Sequence, residues 1–182
     1  MIEVRFHGRG GQGAVTSAEL VALAAIEQGK FAQAFPNFGP ERRGAPVMAF
    51  LRVDEKPIRL REKVYEPNIV VVLDPTVIRI AKVDDGLKDD GILVINSNRD
   101  VADLRAEYGF TQKLALVDAT RIATEILGLP ITNTVMLGAL IKVSGLIDSE
   151  AINGPLARRF GSIAPKNQKA YERAFTETKL EE

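Results

Sequence analysis

Six residues near the amino terminus, Gly8-Arg9-Gly10-Gly11-Gln12-Gly13, combine four glycines with one guanidinium and one side-chain amide. They follow the apolar run Ile2–Phe6 and precede an alanine-rich stretch. That strand–loop–helix order is where parallel α/β proteins present backbone N–H groups to phosphate. The glycines permit a tight turn and close approach of a ligand or a second chain. A turn that only packs has no use for Arg9 and Gln12, whereas arginine is suited to bidentate contacts with carboxylate or phosphate.

Two common readings of such a loop fail on their second half. The spacing Gly8-x-Gly10-x-x-Gly13 meets the glycine part of the dinucleotide fingerprint. The ribose-binding acid expected about 20 residues on is missing, because Phe35-Pro36-Asn37 stands there and Glu27 belongs to the helix. A P-loop carries Lys-Ser/Thr after its last glycine; this chain has Ala14-Val15.

A second constellation is Asn37-Phe38-Gly39-Pro40-Glu41-Arg42-Arg43-Gly44. A loop leaving the carboxyl end of a parallel strand shares a rim with the first glycine loop, where α/β folds bind ligands. Glu41, Arg42 and Arg43, framed by Gly39-Pro40 and Gly44, are expected to act there. The basic residues that follow (Arg52, Lys56, Arg59, Arg61 and Lys63) read as a solvated hairpin with surface ion pairs. Asn133 and Thr134 stand just ahead of an apolar helix, where they either hydrogen-bond a ligand or partner or cap that helix. His7, ending the first strand, reads as a packed or capping residue. No paired carboxylates and no Ser/His/Asp set can be assembled, so no catalytic residue is assigned and the chain does not read as a self-sufficient enzyme.

The chain has no cysteine and a single histidine. Disulfides, thiolate-held zinc, iron–sulfur clusters and clustered-His metal sites are therefore excluded within it, and any redox centres belong to another polypeptide. Twenty-four basic and 24 acidic residues cancel, which argues against nucleic acid as the main partner. No run approaches the ~20 apolar residues of a membrane span. The start of the chain already reads as a strand rather than a signal segment, so the expected location is cytoplasmic.

The elements that must hold these loops are legible from periodicity. Strands are expected at Ile2–Phe6, Phe31–Phe35, Pro46–Val53, Asn68–Leu73, Ile92–Ile95 and Lys113–Val117, with a turn at Asp54–Pro57 returning the chain into Ile58–Leu60 as a hairpin. A helix from Ala14 to about Glu27 carries Ala14, Ala18, Ala22 and Ala25 at packing spacing. It is apolar nearly all round, so both its faces are expected to be covered, and Gly29 should stop it. A short helix is expected near 76–82, and further helices at Ala119–Leu127 and Asn133–Val143, the latter buried or under a partner. Asp148 is expected to cap a turn, and Pro155 and Pro165 suit the first turns of two more helices. The fold class is α/β: a single Rossmann-like domain over residues 1–182, with a mainly parallel sheet flanked by helices and an antiparallel hairpin at one edge.

With both loops in hand, the chain closely resembles the gamma subunit of 2-oxoacid:ferredoxin oxidoreductases, the pyruvate enzyme (pyruvate synthase) being the nearest variety. The likeness runs through Asp54-Glu55-Lys56-Pro57-Ile58-Arg59, Val72-Leu73-Asp74-Pro75 and Asn133-Thr134-Val135-Met136-Leu137-Gly138-Ala139, and reaches about Phe175. One departure is Ala45, where many members have glycine. The resemblance implies one subunit of a multi-chain enzyme that decarboxylates a 2-oxoacid, forms an acyl-CoA and reduces ferredoxin. Thiamine diphosphate, magnesium and iron–sulfur clusters would be held by alpha, beta and delta partner subunits, and this chain alone would hold no cofactor and be inactive. The gamma part would cover the active-site region, with CoA as a substrate. Residues Gly8 to Gly13 would then form a CoA-binding or subunit-contact loop, and Arg42 and Arg43 a neighbouring contact. Isolated, the chain could pair as a homodimer.

Overall fold

A computed structural model describes residues 1–37 and 44–181. In chain order the elements are β1 (Ile2–Arg9), α1 (Ala14–Glu27), β2 (Phe31–Pro36), β3 (Pro46–Asp54) and β4 (Ile69–Val72). Then come α2 (Ile78–Ala81), β5 (Ile92–Asn96), α3 (Val101–Tyr108), β6 (Lys113–Val117) and α4 (Ala119–Leu127). The chain closes with α5 (Asn133–Ser144), α6 (Asn153–Phe160), α7 (Ala164–Glu177) and β7 (Lys179–Glu181).

The strands form one seven-stranded sheet in the order β2-β3-β1-β4-β5-β6-β7. β1, β4, β5 and β6 run parallel, and the Val/Ile/Leu runs of β4 and β5 suit strands covered on both faces. β3 is antiparallel to both β1 and β2, and β7 is antiparallel to β6. One face packs on α1, α4, α5 and α7; the other packs on α2 and α3. The chain thus leaves β1 over one face and leaves β4 over the other. Strand order reverses between β1 and β4, which makes that gap the topological switch point.

The alanines of α1 do what their spacing predicts, with Ala14, Ala18, Ala22 and Ala25 all buried. The helix ends in a Schellman turn: Gly29 N–H donates to Ile26 O at 2.9 Å and Lys30 N–H to Ala25 O at 3.0 Å, with Gly29 at φ 81°. Its outer face is not covered, however, since Leu23 and Ile26 are exposed. The apolar α5 lies under α7. Gly138 lets the two helices touch, because a Cβ there would run into backbone atoms of Tyr171 and Phe175.

Three further expectations need correction, and two elements were missed. Residues Ile58–Leu60 form no strand, because both edges of β3 are already taken by β1 and β2. The antiparallel hairpin at this edge is β2–β3. Arg52 is not on a solvated surface: it is 1% exposed, and residues 58–66 fold over it. Asp148 does not cap with its carboxylate, which instead accepts from Gln28 Nε2 at 2.6 Å. Finally, α3 and β7 were not foreseen. α3 buries only Val101 and Leu104, and β7 is three exposed residues, so neither leaves an apolar period to read.

Candidate functional site: the switch-point glycine loop

The glycine loop occupies the switch point. β1 stays paired with β3 through Arg9↔Pro46, and the chain leaves the sheet at Gly10. Gly10 N–H donates to Ala45 O at 2.8 Å, and Gly44 N–H returns a bond to Gly10 O at 3.2 Å. The base of the second loop is therefore zipped to the first. Ala45 is not among the positive-φ residues, so its side chain is accommodated without strain.

Gly13 precedes α1 with φ 81°, a conformation that disfavours any side chain. A Cβ there would also lie 2.7 Å from Asn133 Nδ2. Among the described residues no side chain caps the first turn of α1, the end that carries the positive pole of the helix dipole. Asn133 is buried against this turn, and among the described residues its Oδ1 has no hydrogen-bond partner. Thr134, by contrast, is tied into the fold, donating to Asn167 Oδ1 at 2.8 Å.

Arg9 and Gln12 face a residue pair that motif reading passed over, Asp74 and Thr76, in the turn after β4. Gln12 Nε2 donates to Asp74 Oδ2 at 2.8 Å, while Gln12 Oε1 accepts from the Arg9 N–H at 2.7 Å. Arg9 Nε and Nη2 both donate to Thr76 Oγ1, at 3.0 and 2.8 Å, and Arg9 Nη1 donates to Gly44 O at 2.9 Å. Arg9 Nε also lies 3.5 Å from Asp74 Oδ2. Asp74 Oδ1 in turn accepts from Thr76 N and Oγ1 at 2.9 and 2.7 Å. Partial burial works against the Asp74 charge. The hydrogen bonds from Thr76 and Gln12, with the Arg9 charge, outweigh it and hold the carboxyl below its ordinary range. The sequence signal was present: Asp-Pro-Thr after a buried strand is a ready-made turn whose Asp bonds the N–H two residues on.

His7 lies behind the loop on β1, 1% exposed. Its Nε2 accepts from Arg5 Nε at 3.0 Å. Burial first, and the Arg5 charge second, push its pKa down to about 3, so the ring is neutral and packed, as its isolation in the sequence suggested. Asn37 is described, its N–H donating to Met48 O at 2.9 Å; Gly39, Pro40, Glu41, Arg42 and Arg43 lie outside the described residues. A separate cavity of about 600 Å³ opens over β5 and β6, bordered by Pro75, Asn96, Arg99 and Arg121. Both its arginines are engaged by carboxylates, Arg99 by Glu107 at 2.6 Å and Arg121 by Glu177 at 2.6 Å. Among the described residues no group of three or more His, Cys, Asp or Glu could hold a metal, and no helix is long and apolar enough to cross a membrane.

A sheet of this order with a glycine loop at its switch point defines an α/β unit of the Rossmann-like class. Residues 3–177 match the family model for pyruvate ferredoxin/flavodoxin oxidoreductase. The chain is 54% identical to the pyruvate/ketoisovalerate oxidoreductases common subunit gamma of Thermococcus kodakarensis, over 98% of this chain and 97% of that one. It superposes on the crystal structure of pyruvate oxidoreductase subunit PORC (EC 1.2.7.1) from Thermotoga maritima with a TM-score of 0.90. That match has 40% identity and covers 100% of this chain and 98% of the other. The fold also recurs within a 2-oxoglutarate:ferredoxin oxidoreductase chain from Magnetococcus marinus solved with 2-oxoglutarate, coenzyme A and succinyl-CoA. There the TM-score is 0.79 at 19% identity, covering 96% of this chain and 30% of that one. The chain belongs to the pyruvate ferredoxin/flavodoxin oxidoreductase family, as the gamma subunit of a multi-subunit, ferredoxin-dependent 2-oxoacid oxidoreductase.

Proposed function

We propose that this subunit receives coenzyme A at the switch-point rim and covers the active-site region of a partner chain, so that an acyl group formed on the partner passes to the thiol. The observation that carries the reading is the pairing of an uncapped 14-residue helix with a partly exposed arginine. The helix end offers N–H groups and the arginine a positive charge, both suited to a diphosphate. Two comparisons support it. The Magnetococcus chain of the same fold was solved with coenzyme A. The Thermococcus relative is named as common to pyruvate and ketoisovalerate oxidoreductases, and a subunit shared between two oxoacids suits the substrate that both reactions would share, the CoA.

In this reading pyruvate is the 2-oxoacid, and oxidative decarboxylation yields acetyl-CoA, carbon dioxide and reduced ferredoxin. Thiamine diphosphate, magnesium and the iron–sulfur clusters sit on alpha, beta and delta partners, since this chain supplies no thiolate to hold a cluster. The compartment is the cytoplasm. Titration of CoA into the isolated chain and into the assembled complex should give saturable binding in at least one; binding in neither refutes the CoA assignment.

One observation favours a second reading, a pure subunit-contact module. Arg9 and Gln12 already have partners inside the chain, as a rigid docking surface requires. In that case Arg42→Ala weakens assembly. Under the CoA reading the complex stays intact and its KM for CoA rises.

A further inference from the structure

Asp74 belongs to none of the glycine motifs, yet its carboxylate binds both side chains of the first loop. Through Gln12 it fixes the loop's path: the same amide that donates to Asp74 accepts from the Arg9 N–H, 2.8 Å on one side and 2.7 Å on the other. Through Thr76 it fixes Arg9 itself. Asp74 Oδ1 accepts a hydrogen bond from the Thr76 hydroxyl at 2.7 Å, which leaves the Thr76 lone pairs to accept from Arg9 Nε and Nη2. The third Arg9 bond reaches Gly44 O, at the base of the second loop.

A guanidinium has five N–H groups in a fixed plane. Three are taken by Thr76 and Gly44, and the side chain remains 31% exposed. The other two, one on each Nη, have no hydrogen-bond partner among the described residues. Arg9 is therefore a receptor for an anion whose orientation is set in advance, and preorganisation of this kind lowers the ordering cost of binding. No other carboxylate among the described residues bonds Arg9 or Gln12.

We propose that Asp74 is a positioning residue for coenzyme A: it acts through Arg9 and Gln12, aiming the two remaining Arg9 N–H groups at a phosphate of the ligand without touching the ligand itself. The inference rests on the CoA reading given above.

The test uses the assembled oxidoreductase carrying Asp74→Asn, Arg9→Gln or both. Asp74→Asn keeps the shape but removes the charge and one acceptor. It is expected to raise the KM for CoA about tenfold and to leave the KM for the 2-oxoacid unmoved. The double variant should be no worse than Arg9→Gln alone, because two residues acting in series are not additive. Thr76→Val, which removes the hydroxyl between Asp74 and Arg9 without disturbing a charge, should give a smaller rise of the same kind, and it carries the test if Asp74→Asn does not assemble. A rise with Arg9→Gln but none with Asp74→Asn or Thr76→Val overturns the positioning role and leaves the CoA reading standing. No rise with any variant overturns both. A parallel rise in both KM values, or fully additive effects, reduces Asp74 to a structural residue and also overturns the proposal.

Discussion

Arg52 and Arg9 lie on adjacent antiparallel strands of one sheet, and each is held by three protein groups, yet they serve opposite ends. Arg52, 1% exposed, donates Nε to Glu3 at 2.7 Å and its two Nη to the carbonyls of Glu62 and Lys63. It also stacks over Phe35 at 5.4 Å. The two carbonyl bonds tie the covering segment to the sheet, while Glu3 on β1 and Phe35 on β2 hold the guanidinium from within it. Arg9 lies beyond that cover, bonds to turn and loop oxygens, and keeps part of its fork open. Buried, an arginine is a fastener whose loss exposes every partner at once; at a rim, the same group with the same number of bonds is a presented charge. Residue type alone does not distinguish them; the cover does.

The comparison can be broken most forcefully at Arg52. Arg52→Ala would leave Glu3 and two carbonyls without their donor, a change expected to cost about 3–5 kcal/mol, read as a lower denaturant midpoint. A loss under ~1 kcal/mol would erase the distinction between the two sites.

His7 sharpens the same contrast through pH. Its imidazole ionises near 6.5 in the unfolded chain and only near 3 in the fold. Between those values the unfolded chain binds more protons, so the stability contributed by the neutral ring is whole above about pH 6.5 and declines as pH falls towards 3. Linkage gives roughly 2 kcal/mol lost by pH 5. His7→Gln should remove that slope in urea titrations at pH 7 and 5; an unchanged slope would assign it to other groups.

At the rim itself, Gly13→Ala forces a side chain into positive φ and against Asn133, at about 1–2 kcal/mol, measurable by thermal unfolding. Smallest of all, Arg9→Ala should shift stability by less than ~1 kcal/mol, as partly exposed ion pairs do, while altering CoA affinity. A loss approaching that of Arg52→Ala would show Arg9 to be a fastener too.

Much of the frame could be read in advance because its signals are local. The continuous run at residues 69–73 gave β4, the alanine spacing gave α1, and Gly128 marked the end of α4. The glycine loop and its rim followed from the strand–loop–helix order. What escaped depends on contacts distant in sequence. Nothing near Arg52 announces that residues 58–66 fold over it, so its charge read as surface. The same holds for the expected strand at 58–60: only the pairing of β1 with β3, distant in sequence, reveals that no edge is free. Asp74 was visible in the sequence, but its meaning required knowing that the turn after β4 lies beside the loop after β1. Loops at a switch point meet through sheet order, which local periodicity does not encode.

The direction of the outermost strand has a practical consequence. β7 runs antiparallel to β6, so it descends away from the glycine rim, and β1 begins on that same far side. Residues 2 and 181 therefore both sit at the sheet end opposite the loop. A linker, affinity handle or neighbouring domain joined at either point would extend from the back of the unit and leave the face with Arg9 and Asp74 clear. The unit can thus be grafted into a longer polypeptide without reworking its site.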